Sequence, residues 1–430
     1  MTPAQINAAL TRSIRVSAMQ NRSGKQFSRE DSGKLSQEKT MRFLIGAEGG
    51  SLAKELRRAG IDATPSAMSM RRKDIPSAVL LDVLQCFNAA CSDDELYRDY
   101  RLLAVDGSSI NMSRNPSAPT FVQNESAPKG YNQIHLNPLF DLCNKTFFDA
   151  VLQPEPRKDE IGALIEMLKR NNFAEKTLVI ADRGYESYNL IAHLIEKPNT
   201  DFLIRVKQNH SAMREVARLP MCQLDCNIGF TITTTQTNED KRNRHIFLQV
   251  PKKSRADSRT RRGRWDFQSP YPMRFRIVRF QLDTGDYETI ATSLDSSFTI
   301  DDIKELYRMR WGIESSFRDL KYTLGLVNLH GKSDAFVQQE IYAALTMFNF
   351  TSRISRDAVI KQPKDGVYAY KVNFKMAVDL CREYFRTPRA DGDELLEQIA
   401  KYSVAIRPGR QDQRKIKAKG FVGFTYRVAA

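Results

Sequence analysis

The sequence predicts an α/β fold: a mixed sheet with crossover helices, interrupted by a β-rich insertion and preceded by a helical N-terminal region. Three observations lead there. Two apolar runs, RLLAVDGSS from residue 101 and TLVIADRGY from residue 177, have the length and composition of buried strands, and each ends in an aspartate. Amphipathic helical stretches, DEIGALIEMLKR and NLIAHLIEK, alternate with such runs. Residues 208–285 then switch to β-branched and aromatic strings, FTITTTQT, HIFLQV and RFRIVRFQL, separated by polar loops.

In chain order, residues 1–95 read as helical. SLAKELRRAG, IDATP and SAMSMRRKDI form helix, turn and helix, with Arg71, Arg72 and Lys73 on the second helix. This pattern fits a groove-reading helix or a plain helical hairpin with a basic face. Residues 96–207 carry the first part of the sheet. HLNPLFDLC and TFFDAVLQP form a hairpin about Asn144-Lys145, and DFLIRVK is a further strand. Residues 208–285 are the insertion, and residues 286–345 return to the sheet with YETIATSLD. A helix follows, opening at Thr299 with Asp302 three residues on, a variant capping box, and running to about Leu324. Residues 346–430 are helical with a basic tail.

The 430 residues include 66 Lys and Arg against 51 Asp and Glu, a net charge of +15, with 41% hydrophobic residues. The chain can bury a large core, and its charge favours a polyanionic partner, nucleic acid before a membrane surface. Residues 241–264 hold ten Lys and Arg against one Asp, and the stretch from residue 401 holds eight against one. No apolar run is long enough to span a membrane, and the first residues lack a secretory signal. Six scattered cysteines make no disulfide framework, so a reducing cytoplasm is expected.

The helix near residue 310 carries the chemistry. Tyr307, Arg310, Glu314 and Lys321 stand at offsets 0, 3, 7 and 14. At about 100° per residue these fall within roughly 60° of one another. The apolar residues Leu306, Ile313, Phe317, Leu320 and Leu324 form a neighbouring stripe. A carboxylate among cations beside a packing face suits a metal ion and phosphates. Asp106 and Asp182 each terminate a strand-like run, where α/β sheets place active-site groups. Either alone could be a turn or cap residue. In adjacent strands, the two would need a counter-charge, and oxygen ligands favour magnesium or manganese. With Glu314 they would make a three-carboxylate site able to hold two ions.

The spacing Tyr307-x2-Arg310-x3-Glu314-x6-Lys321, within YRMRWGIESSFRDLKYTLGL, resembles the YREK signature of the insertion-sequence-four group of DDE transposases. Asp106 in AVDGS and Asp182 in ADRGY match the two aspartate positions. The resemblance covers roughly residues 100–430. It implies a ribonuclease-H-like catalytic domain. Asp106, Asp182 and Glu314 would be the catalytic triad that binds two Mg²⁺ or Mn²⁺ ions. Tyr307, Arg310 and Lys321 would hold DNA phosphates. It further implies double-stranded DNA as partner, a homodimer in the DNA complex and a bacterial cytoplasmic protein that associates with the nucleoid. Trp265 and Trp311 are candidates for stacking on a flipped base, with packing as the alternative, favoured for Trp311. The competing functions are a metal-dependent nuclease without strand transfer, an inactive DNA-binding derivative and a structural basic protein.

Overall fold

The computed structural model describes residues 1–21, 35–91, 94–207, 213–250, 264–282, 284–327, 329, 331–362, 368–387 and 390–407. The chain divides into two compact units, one of residues 1–95, 107–158 and 314–430 and one of residues 96–106 and 159–313. They are called the helical unit and the sheet unit.

The helical unit opens with α1 (Pro3–Gln20), α2 (Gln37–Gly46), α3 (Leu52–Arg58), α4 (Pro65–Lys73) and α5 (Ser77–Ala90). Side-chain oxygens start the first four: Thr2, Ser36, Ser51 and Thr64 each accept from a backbone N–H of the first turn. The unit also holds strands β2 (Ser108–Met112), β3 (Phe121–Asn124), β4 (Ala127–Asp141) and β5 (Thr146–Pro154). The hairpin expected about Asn144-Lys145 is the β4–β5 pair, with Lys145 in the left-handed region at φ 52°. Its long helix α12 (Asp334–Arg356) is buried on every side, which makes it the core of the unit. Asn349 of α12 accepts from the Phe147 N–H at 2.7 Å and donates to the Phe147 carbonyl at 2.8 Å, fixing β5 against the helix. Phe140, Phe147 and Phe348 form an edge-to-face cluster at that contact. Helices α13 (Phe374–Arg386) and α14 (Gly392–Lys401) follow, with a small pair of strands, β12 (Tyr370–Lys371) and β13 (Val404–Ala405), closing the described chain.

One feature of the basic α4 helix differs from expectation. Arg72 is buried: its guanidinium donates to Gln339 Oε1, the Phe336 carbonyl and Glu340 Oε1 at 3.0, 3.0 and 3.1 Å. It is therefore part of the α4–α12 packing and is not presented to a nucleic acid. Arg72→Met is expected to cost about 2 kcal/mol of stability, because Gln339 and Glu340 lose a charged donor, while DNA affinity stays unchanged. Chemical denaturation beside a DNA titration checks both halves.

The sheet unit starts at β1 (Tyr100–Val105) and continues with α6 (Glu160–Arg170), β6 (Lys176–Ala181), α7 (Tyr188–Glu196) and β7 (Thr200–Val206). The strands β1, β6 and β7 are parallel neighbours. Parallel pairing needs crossovers, and the two amphipathic helices supply them after β6 and before it. Asp159 caps α6 and Ser187 caps α7, while Leu164, Leu168, Leu190 and Leu194 are buried. A short helix α8 (Arg214–Ala217), strand β8 (Leu224–Thr233), helix α9 (Asn238–Arg242) and strand β9 (Ile246–Phe247) lead into β10 (Tyr271–Gln281) and β11 (Tyr287–Thr292). The sheet runs β1-β6-β7-β11-β10-β8-β9, so β11, β10 and β8 extend the parallel core as antiparallel strands and β9 pairs parallel to β8. The strand expected in HIFLQV shrinks to two residues. Parallel strands β1, β6 and β7 with a helix in each crossover, extended by antiparallel strands, make the sheet unit a mixed α/β fold.

The helix near residue 310 is not one continuous rod. It comprises α10 (Ile300–Met309), a turn at Arg310, α11 (Trp311–Arg318) and a π-helical segment Asp319–Thr323. The capping box at Thr299 and Asp302 forms as its spacing predicts. The apolar stripe Leu306, Ile313, Phe317, Leu320 and Leu324 is buried throughout. The uniform 100° wheel fails at its end, since π turns hold more residues than α turns.

Candidate active site

The carboxylates come from β1 and β6. Leu103 is in register with Val179 and Ala104 with Ile180. Two residues further on, Asp106 and Asp182 therefore stand level at the carboxyl ends of adjacent parallel strands, which lie about 4.8 Å apart. The β strands themselves are buried, and the acids are the first residues beyond them that reach solvent. Asp182 is oriented by its own turn, Oδ1 accepting from the Gly184 N–H at 2.7 Å. A Cβ at Gly184 would lie 2.9 Å from that oxygen, so glycine leaves the carboxylate its place.

Arg310 supplies a positive charge. Its guanidinium stands 3.7 Å from the Asp106 carboxylate, an ion pair without hydrogen-bond length. It also lies 5.0 Å above the Trp311 ring and 5.6 Å from the Tyr307 ring. Arg310 and Tyr307 are each only 5% exposed. Burial raises the Tyr307 phenol above its ordinary value, opposed by the nearby cations Arg310 and Arg205. Arg205 pairs with Glu288 at 2.8 Å, and burial lifts the Glu288 carboxyl against the pull of Arg205 and Arg310. Trp311 is 53% exposed, which corrects the expectation that it packs beside the site. It offers one face to Arg310 and much of its surface to solvent.

Tyr185 was missed in the sequence. It ends the turn after Asp182, with its N–H donating to the Asp182 carbonyl at 3.1 Å. Its ring is buried, and its hydroxyl has no hydrogen-bond partner among the described residues. Burial drives the phenol well above its ordinary value. Glu160, Asp106 and Asp182 push in the same direction, and Arg310 opposes them. A signal was available: an aromatic with a polar tip, three residues after a strand-end acid, in ADRGY.

The sheet unit thus brings together Asp106, Asp182, Tyr307 and Arg310. Glu314 and Lys321 belong to the helical unit. Glu314 sits in the first turn of α11, where the helix dipole favours a carboxylate. Lys321 lies in the π-helical segment, a form concentrated at functional positions. Its ammonium is half-buried and forms no hydrogen bond or ion pair with a described residue, and burial lowers its pKa. Among the described residues, no group of three or more His, Cys, Asp or Glu is arranged to hold a metal ion. Trp265 packs against Phe267 and Tyr271 at 5.5 and 5.3 Å in a partly exposed aromatic cluster. Residues 251–263 and 408–430, which carry most of the two remaining basic regions, lie outside the described residues. No helix is long and apolar enough to cross a membrane among the described residues.

No curated protein matches the chain by sequence. The cryo-electron-microscopy structure of a piggyBac transposase synaptic complex with hairpin DNA is similar over 96% of this chain and 84% of that one, at 10% identity and a TM-score of 0.45, too slight a likeness to transfer residue roles. Residues 97–350, more than half of the chain, match the transposase DDE domain, and they include the strand-end aspartates and the whole helix about Arg310. The chain belongs to the transposase DDE domain family.

Proposed function

We propose that the chain is the transposase of an insertion sequence, of the YREK type, which hydrolyses the phosphodiester at its element's ends and joins the freed 3′-hydroxyl to target DNA. The observation that carries this reading is the pair Asp106 and Asp182, level on adjacent parallel strands with Arg310 beside them. Their donor set is oxygen alone, and two facing carboxylates call for a cation, so the residues fit Mg²⁺ or Mn²⁺. Asp106, Asp182 and Glu314 would hold two such ions. When bound, the ions would neutralise charge on the attacking and leaving oxygens of the phosphodiester.

The chain's own residues do the rest. Rigid strand ends fix the two aspartates, so little reorganisation is needed when the substrate arrives. Arg310, backed by the rings of Tyr307 and Trp311, presents a planar fork suited to a phosphate. Lys321, with no acid beside it, adds a second cation for the DNA backbone. Tyr307 contributes its hydroxyl and its support of the guanidinium. Two copies acting on two ends, as a homodimer on double-stranded DNA, complete the proposal, and the net charge of +15 supports the DNA partner.

The test is a duplex spanning the junction of the element with its flanking DNA, incubated with protein, Mg²⁺ and a supercoiled plasmid. Cleavage at the junction followed by joining to the plasmid is the expected outcome. Cleavage with no joined product would reassign the chain as a nuclease, and no cleavage in Mg²⁺ or Mn²⁺ would overturn the reading.

A further inference from the structure

We propose that the two-stranded ribbon of β12 and β13 is a stacking surface for the unpaired bases of single-stranded DNA, with Tyr368 and Tyr370 as its platform and Arg407 as its phosphate contact. The ribbon lies past residue 350, outside the matched transposase DDE domain. The inference goes beyond the proposed cleavage reaction and does not rest on it.

Tyr370 pairs with Ala405 and Lys371 with Val404. The Ile406 N–H donates to the Ala369 carbonyl at 2.7 Å, which carries the pairing past β12. In this antiparallel register Tyr368 stands opposite Arg407, whose guanidinium lies 6.0 Å from the Tyr368 ring centre. Residues two apart share a face, so Tyr368, Tyr370 and Arg407 belong to one side of the ribbon. Along the strand the two tyrosines are about 6.6 Å apart, nearly twice the roughly 3.4 Å rise between stacked bases. A flat base fits that interval. Tyr368 is 42% exposed, Arg407 is exposed and Tyr370 is half-buried. Gln362 fixes Tyr370 from the outer edge: its amide accepts from the Tyr370 N–H at 2.7 Å and donates to the Tyr370 carbonyl at 2.9 Å. These bonds close β12 at that point to an added peptide strand, so its side chains are what it offers a partner. Charge selects that partner. Residues 357–362, 368–371 and 401–407 hold Lys361, Lys371, Lys401 and Arg407 against Asp357, and Asp357 already pairs with Arg356 at 4.0 Å. Residues 408–430 continue the sequence with six Lys and Arg against Asp412, so the chain's own continuation brings no counter-charge. Accessible aromatics among cations suit a strand that has free bases and a phosphate at every step. A duplex keeps its bases stacked inside and would leave the tyrosines without a role. Membership of a DNA-rearranging family favours DNA over RNA. Helix α13, which follows β12, packs against the π-helical segment that holds Lys321 and the exposed Tyr322, so the ribbon is joined within one unit to a further cation and aromatic.

The test uses the full chain in EDTA, so that no metal-dependent step contributes. The probes are a fluorescent oligo(dT), an abasic strand and a duplex of the same length, and an oligo(rU). Tyr368→Ala is expected to weaken oligo(dT) binding by about fivefold to a hundredfold, the worth of one stacked base. Its affinity for the abasic strand and the duplex is expected to stay within about twofold, and Tyr368→Trp is expected to bind oligo(dT) at least as well as the wild type. Unchanged oligo(dT) binding in Tyr368→Ala, or an equal loss on the abasic strand, would overturn the proposal. Arg407→Gln is expected to weaken oligo(dT) and the abasic strand alike and to lower the salt slope by about 0.7; an unchanged slope would remove Arg407 from the phosphate contact. Ultraviolet crosslinking of a strand containing 5-iododeoxyuridine to the wild type reads the contact without any substitution. Crosslinks at Tyr368 or Tyr370 are expected, and crosslinks confined to other residues would overturn the proposal even if Tyr368→Ala folds poorly. Tighter binding of oligo(rU) than of oligo(dT) would assign the ribbon to RNA. A changed oligomeric state in Tyr368→Ala with oligo(dT) binding intact would make the ribbon a contact between copies. Either result would overturn the assignment to single-stranded DNA, and none of these measurements depends on whether the chain cuts or joins DNA.

Discussion

Asp106→Asn and Asp182→Asn are each expected to lower the rate of DNA cleavage by at least about a thousandfold, while DNA affinity changes by less than about threefold. Both substitutions keep size and shape and remove one negative charge. The two strand-end carboxylates stand level on neighbouring strands, so neutralising either one relieves repulsion in the free protein. For Asp182→Asn stability should therefore hold or rise, which separates loss of a working group from loss of fold. Asp182 also accepts from the Gly184 N–H, and the Asn side-chain carbonyl can keep that bond. Asp106 loses its ion pair with Arg310, and the guanidinium gains freedom to meet phosphate. Single-turnover cleavage, an equilibrium DNA titration and a melting curve on each variant decide the matter. Glu314→Gln is expected to behave likewise if the third acid joins the same ions. Retained cleavage in any one variant would remove that residue from the metal site, and the other two would then have to account for ion binding without it.

Much of this arrangement was legible before any coordinates. Asp106 and Asp182 declared themselves because a buried parallel strand reads as an unbroken apolar run, so the first acid after it marks the strand's carboxyl end. Thr299 and Asp302 announced the helix start because capping is local and survives any tertiary context. The stripe Leu306 to Leu324 was readable for the same reason. What escaped depended on partners distant in the chain. Arg72 looks like a free cation beside Arg71 and Lys73, and only the fold brings Gln339 and Glu340 of α12 to it. The turn at Arg310 is followed by Gly312 and the π segment holding Lys321 by Gly325, but a lone glycine does not tell a break from a continuous helix. They arise where the backbone departs from regular hydrogen bonding under packing constraints. Trp311 is exposed because the turn rotates it away from the buried stripe and under the guanidinium. Tyr185 was invisible for another reason: a tyrosine after a strand reads as packing, and an unpaired hydroxyl can be recognised only when its whole surroundings are known.

Arg310→Ala is expected to weaken binding to the element end by about tenfold to a hundredfold and to reduce the slope of log affinity against log salt by roughly one. The guanidinium is almost fully buried, so its side chain is already ordered and little entropy is lost when a phosphate joins it. The rings of Tyr307 and Trp311 hold its plane from two directions. In the free protein it also offsets the charge of Asp106 at 3.7 Å, a separation that leaves the pair loose enough to exchange for a stronger anion. Removing it should therefore do two things at once: lose a phosphate contact and leave the two aspartates less compensated. The second effect predicts that Arg310→Ala will need less Mg²⁺ or Mn²⁺ for half-maximal cleavage, even as the maximum rate falls. Arg310→Lys separates the contributions, since it keeps the charge and the salt slope but gives up the planar fork and its stacking. A salt slope that stays the same in Arg310→Ala would assign the residue to packing between the two rings, and phosphate recognition would then fall to Lys321.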